Sequence, residues 1–314
     1  MSDYQNVSCG LDLSSADVFV SGESLSGASA AALHDATRIA RDAGARLHLV
    51  TGLDLDALAA WMVGVERTAG RPTVADHAKG RLEALAVGPR NAGIVTTTEV
   101  ALAGPAQALM EDADREGRDL VVVGTRERGA VARNVLGSTA LRLLRRAPQD
   151  VWVAREGAAE RPQVVLASID LGDMAPRIVA AAARVAAHRG APLHVVHVVD
   201  FRAEDVLRTG AADAQFVLEY RRRKRLRAEE EVPAIVEQAL GKNPALKPTI
   251  HLPDGDVDAT ILRAAADTRA TIVVLGSVVH SAVGAAISGL GRTAEKVLPE
   301  LGASLLVLKP RARP

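Results

Sequence analysis

Residues 36–50 read ATRIARDAGARLHLV, and residues 182–196 read AARVAAHRGAPLHVV. At an offset of 146, Arg38 falls on Arg184, Gly44 on Gly190, Leu47 on Leu193 and His48 on His194. Working outward, DLVVVGT (119–125) answers TIVVLGS (271–277), and GSTALRLL (137–144) answers GRTAEKVL (291–298). VWVAR (151–155) answers LLVLK (305–309), and at the front GLDLSS (10–15) answers SIDLGD (168–173). Five blocks keep their order while only the spacers change, which is the signature of a tandem duplication. The join falls near Glu156–Pro162, dividing the 314 residues into domains 1–158 and 159–314.

Each repeat alternates short apolar runs with helical patterns. The runs of repeat 1 are Val7–Leu11, Leu47–Thr51, Thr98–Ala101, Leu120–Val123 and Val151–Val153. Those of repeat 2 are Val164–Ile169, Leu193–Val199, Thr249–Leu252, Ile272–Leu275 and Leu305–Leu308. They are β-branched without strict alternation, as in strands buried on both faces of a parallel sheet. Between them lie Ala-, Leu- and Arg-rich stretches with apolar residues at helical spacing. The pattern predicts an α/β fold of two doubly wound, Rossmann-like, parallel five-stranded sheets. In such sheets ligands bind beyond the carboxyl ends of the strands, at the switch point.

Composition bounds the function. Lys+Arg and Asp+Glu are equal at 38 each, so nucleic-acid binding along the length of the chain is not expected. The lone Cys9 excludes an intramolecular disulfide and a Cys-rich zinc site, and it points to a reducing compartment. On a buried strand it reads as a small inert hydrophobe. No signal-peptide pattern and no membrane-spanning run are present, and the reading is a soluble cytoplasmic protein. His48, His194 and His197 read as packed or strand-end histidines, and no metal site is expected. The basic run RRRKRLR (221–227), followed by AEEE, reads as a solvated helix face with helical ion pairs.

Chemistry is sought just after the strands. After strand 4 of repeat 1 the chain reads GTRERGAVARNVLGST (124–139). Gly124 follows the strand and Gly137-Ser138-Thr139 opens a helix. A helix N-terminus offers unpaired N–H groups and partial positive charge to phosphate. Ser138 and Thr139 add hydroxyls, and Arg126, Arg128 and Arg133 add cations. The competing reading makes Gly124 and Gly137 tight-turn glycines and Ser138 an N-cap. Residues 13–30 lengthen the first loop relative to repeat 2 and lie beside Asp12, where a lid over the site would fit. No nucleophile–base pair stands out, so fast catalytic turnover is not expected.

The spacing Gly124-x2-Glu127-x9-Gly137-Ser138, with Gly10-Leu11-Asp12-Leu13-Ser14 at strand 1, resembles the universal stress protein family in its tandem form. Glu127 stands where that family carries its second glycine. The resemblance implies an adenine nucleotide alpha hydrolase-like fold, with the repeats forming an intramolecular pseudo-dimer about a pseudo-twofold axis. It also implies that the fifth strands meet antiparallel, with further homodimerisation left open. It implies ATP or ADP as ligand, with Mg2+ as an option that Glu127 could help to hold. In repeat 1 the implied contacts are Asp12 to the nucleoside, Gly52 at the end of strand 2, and Gly124, Gly137, Ser138 and Thr139 to the phosphates. In repeat 2 they are Asp170, Val198, Gly276, Gly291 and Thr293. For Asp12 and Asp170 the competing reading is a buried carboxylate tying down a βα turn. Repeat 2 departs further, with Val279 at the second glycine, Arg292 after Gly291 and an apolar SVVHSAVGAAISGL (277–290). One working site, in repeat 1, is the expectation. The alternative is an interaction protein whose sites are vestigial or hold an apolar ligand.

Overall fold

The computed structural model describes residues 4–13, 25–55, 59, 65, 67–69, 71–125, 137–201, 214–241, 246–280, 286–288, 296–297 and 299–310. The chain divides into two compact units, Met1–Glu160 and Arg161–Pro314.

In the first unit the order is β1 (Asn6–Gly10), α1 (Gly27–Ala43), β2 (Arg46–Gly52), α2 (Val74–Asn91), β3 (Thr96–Ala101), α3 (Pro105–Arg115), β4 (Leu120–Gly124), α4 (Ser138–Arg146) and β5 (Asp150–Ala154). The strands lie side by side as β3-β2-β1-β4-β5, all parallel. The chain winds outward from β1 through β2 to β3, then crosses over to β4 and β5, so the switch point lies between β1 and β4. Successive side chains of β1 take opposite faces. Ser8 reaches Asp112 on α3, whereas the buried Cys9 lies within the field of Asp35 on α1. Helices therefore cover both faces, which is why strands such as LVVVG (120–124) are apolar throughout.

In the second unit the order is β6 (Val165–Ser168), α5 (Ala175–Arg189), β7 (Leu193–Val196), α6 (Ala214–Leu240), β8 (Thr249–His251), α7 (Val257–Asp267), β9 (Ile272–Gly276), β10 (Val278–His280), β11 (Ala286–Ser288) and β12 (Ser304–Leu308). Its sheet runs β8-β7-β6-β9-β12, again parallel and with the same winding. The α/β, doubly wound reading holds for each unit.

Three local readings are corrected. The stretch 13–30 is not loop to its end: α1 starts at Gly27, with Ser26 accepting from the Ser29 N–H as its N-cap. The second strand of repeat 2 stops at Val196, although Val199 still bridges Asp254. The neighbouring Pro253 has no N–H to give, so the regular ladder ends there. After β9 the chain turns into the antiparallel hairpin β10–β11, pairing Val278 with Ser288 and Val279 with Ile287. The β-branched residues that mark this loop as apolar also favour strand.

On α6 the expected ion pairs form at i, i+4: Arg223–Glu219 at 2.7 Å, Arg225–Glu229 at 3.1 Å and Arg227–Glu231 at 2.7 Å.

Candidate functional site

The sheet of the first unit sets three of the expected residues in a row. Gly10 pairs with Val50, and the Leu11 N–H donates to the Val50 carbonyl at 2.9 Å. Extending that register puts Asp12 level with Gly52. Cys9 pairs with Val122, which puts Gly124 level with Leu11. With strands about 4.8 Å apart, Asp12 lies beside Gly52, and Gly124 lies one residue back on the other side, at the carboxyl end of the sheet by the switch point. Asp12 is half-buried, and its backbone N–H donates to Ser29 Oγ at 3.1 Å. The turn after β1 is thus held to the first turn of α1 through the Ser29 hydroxyl.

Two of the glycines are required by packing. A Cβ on Gly124 would lie 2.0 Å from the Ala28 carbonyl oxygen, because the first turn of α1 crosses the end of β4. A Cβ on Gly52 would lie 2.7 Å from the Ala103 carbonyl oxygen and from Pro105 Cα. Both positions are therefore close backbone approaches, independent of any ligand.

Helix N-termini decide where an anion fits. At α1 a carboxylate is already in place: a Cβ on Gly27 would lie 2.0 Å from Glu156 Oε1, and Ser26 caps the same turn. At α4 the N-cap is Gly137, with no side-chain cap and no acidic residue in the first turn. Ser138 is the first helical residue, not the N-cap, and it is exposed. The first N–H groups of α4 thus retain the donors and partial charge that suit a phosphate. Arg126, Glu127, Arg128 and Arg133 lie outside the described residues, as does Ser14.

The second unit places its counterparts differently. Asp170 is exposed rather than buried, and its Oδ1 accepts from the Gly172 N–H at 2.9 Å, which fastens the βα turn. Val198 is buried. A Cβ on Gly276 would meet Ile178 Cδ1 at 3.0 Å, so side chains of α5 cover the strand end. The hairpin β10–β11 begins two residues after Gly276. Gly291, Arg292 and Thr293 lie outside the described residues.

Cys9 is fully buried, and burial pushes its thiol well above the ordinary range, as befits an inert core residue. His48 is packed, as read from sequence, but its environment is not apolar. Its Nε2 faces Asp112 and Glu99, residues 64 and 51 positions away in the chain. No local spacing signals that meeting; the pairing of β2 with β3 and the seating of α3 create it.

A universal stress protein family model matches residues 22–155 and again 162–309. Over the whole chain, the structure is similar to a functionally unknown protein, PA1789, from Pseudomonas aeruginosa PAO1. The identity is 22%, covering 98% of this chain and 94% of that one, with a TM-score of 0.65. It is likewise similar to a universal stress protein from Archaeoglobus fulgidus DSM 4304, at 17% identity, 96% and 98% coverage and a TM-score of 0.63. A half-chain match is the Archaeoglobus fulgidus universal stress protein in complex with dAMP, at 19% identity, 47% and 98% coverage and a TM-score of 0.32. No curated protein matches. Among the described residues, no helix is long and apolar enough to cross a membrane.

Proposed function

The chain belongs to the universal stress protein family, two family domains in tandem, and we propose that its first unit binds an adenine nucleotide, ATP or ADP, as a regulatory ligand in a stress response. The observation that carries this reading is the start of α4 at Gly137-Ser138-Thr139, without a side-chain cap, on the first helix after β4. The nucleoside would lie against Asp12 and Gly52, and the phosphates would take the N–H groups of α4 with the Ser138 and Thr139 hydroxyls. Mg2+ would accompany the phosphates as their counter-ion. No side-chain pair among the described residues of that row combines a nucleophile with a base. The function is accordingly binding, with hydrolysis slow or absent.

The second unit supports the other reading for itself. Its strand end is covered by Met174 and Ile178, and the segment after Gly276 is committed to a hairpin. A phosphate seated there against apolar side chains would lack donors, a cost of several kcal/mol. We assign this half an interaction or packing role.

Calorimetric titration of the purified chain with ATP and ADP in the presence of Mg2+ tests both statements. Binding to one site per chain, lost in Gly137→Asp, is the expected result. No heat at millimolar nucleotide overturns the nucleotide reading.

A further inference from the structure

We propose that the first unit carries a divalent transition-metal site formed by His48 Nε2, Glu99 and Asp112. It is separate from the nucleotide site: His48 lies four residues before Gly52 on β2, about 13 Å back along the strand.

The three groups come from three elements. His48 on β2 pairs in register with Thr97 on β3, which puts Glu99 one step further along the same face. Asp112 comes down from α3 and is fully buried as a side chain. His48 is only 6% exposed. Its Nδ1 lies 2.6 Å from Thr97 Oγ1, a hydrogen bond that fixes the ring. Its Nε2 lies 3.4 Å from Asp112 Oδ1 and 3.5 Å from Glu99 Oε2 and hydrogen-bonds to neither. A buried ring nitrogen is thus left without a partner, aimed between two carboxylate oxygens. Such a nitrogen calls for a particular explanation.

The spacings supply one. All three candidate ligand atoms lie within 4.8 Å of one another. Four-coordinate zinc has bonds of ~2.0–2.1 Å to His nitrogen and carboxylate oxygen, so its ligand atoms stand about 3.3–3.4 Å apart. The two His48 distances match that edge. The Asp112–Glu99 edge closes by movement of Glu99, whose side chain is one-third exposed and opens the path to solvent. In the tautomer that donates from Nδ1 to Thr97, Nε2 presents its lone pair, the ligating form.

The supporting shell is built as metal sites require. Ser8 Oγ donates to Asp112 Oδ2 at 2.8 Å, and Arg118 donates to both Asp112 oxygens, Nε to Oδ2 at 3.2 Å and Nη2 to Oδ1 at 3.0 Å. Arg115 has a different place. Its Nη2 is 2.5 Å from Glu99 Oε2 and 3.8 Å from Asp112 Oδ1, so it bridges the same two oxygens that a metal would take. It is half exposed, and it acts as the resident competitor that a metal ion displaces into solvent.

The second unit supplies an internal control. His194 pairs with Thr249 as His48 pairs with Thr97, so His251 occupies the place of Glu99. Counting from the helix starts at Pro105 and Val257, Ala264 stands where Asp112 stands. There His194 Nδ1 and His251 Nε2 satisfy each other at 2.9 Å. The convergent, unpartnered arrangement belongs to the first unit.

The test uses the full chain, stripped with chelator and titrated with Zn2+ by calorimetry, and with Co2+ followed by visible d–d absorption. One tight equivalent per chain is expected. His48→Ala and Glu99→Gln should each weaken it at least tenfold and abolish the Co2+ spectrum, while His194→Gln leaves it unchanged. Arg115→Gln should tighten it severalfold, which a merely structural role for this cluster does not predict. Should His48→Ala fail to fold, Glu99→Gln, at a partly exposed position, decides alone. No Zn2+ binding at millimolar metal, or binding indifferent to both Glu99→Gln and Arg115→Gln, overturns the proposal.

Discussion

The indole Nε1 of Trp152 donates to Asp35 Oδ2 at 2.9 Å, with both residues almost wholly buried. The bond fastens α1 to β5, elements at opposite ends of the unit's sequence, and spends a buried carboxylate on a structural task. Asp35→Ala removes the acceptor and strands the indole N–H, which should cost about 1–3 kcal/mol. Asp35→Asn keeps an acceptor and should cost less. Denaturant unfolding monitored by tryptophan emission checks the order; equal stability of Asp35→Ala and wild type would refute it.

The glycines at the ends of the fourth strands separate packing from ligand contact. At Gly124 an added methyl meets the Ala28 carbonyl, which cannot move without shifting α1. At Gly276 the methyl meets the tip of Ile178, a side chain that can rotate. Gly124→Ala should destabilise by ~3 kcal/mol or more, and Gly276→Ala by about 1 kcal/mol. Thermal melts of the two variants give the comparison, and similar shifts would show the two strand ends to be packed alike.

The duplication made the sheets legible. Runs such as Leu120–Val123 and Val151–Val153 are apolar on both faces, and each has its copy in the second repeat in the same order. What sequence could not place depends on contacts between distant residues. Gly124 matched a phosphate motif, yet its missing side chain is used by the Ala28 backbone. Glu156 adjoins Gly27 because β5 ends beside α1, and nothing in the intervening sequence announces it. The β10–β11 hairpin was visible only as apolar composition, since strands of three residues carry too little periodicity to register. His48 looked like any strand histidine because both acidic neighbours come from other elements.

Nucleotide stoichiometry distinguishes the two halves. The start of α4 carries no side-chain cap, whereas the matching strand end in the second unit is covered by Ile178 of α5. Titration should saturate at one nucleotide per chain. Gly137→Asp, which adds a carboxylate at the helix N-terminus, should lower affinity at least tenfold without altering the melting temperature appreciably. Thr293→Ala should leave binding unchanged. Saturation at two equivalent sites would place a working site in the second unit as well.

The His194–His251 pair should make stability depend on pH. The two rings share one N–H across 2.9 Å, and a second proton on the pair would set two donors face to face. Burial first, and the nearby His251 second, lower the pKa of His194 below its ordinary value. His197 is lowered too, chiefly by burial, against its bond to the Ile169 carbonyl. Between these folded-state values and the unfolded value near 6.5, the unfolded chain binds more protons than the folded one. Stability therefore rises with pH across that window and falls as pH drops from about 6.5. Melting temperatures of the full chain should be level from pH 8 to 7 and decline progressively toward pH 5. In His251→Gln the amide still bonds to His194 Nδ1 but cannot charge, so the decline should be shallower. An identical slope in that variant would move the effect to other groups.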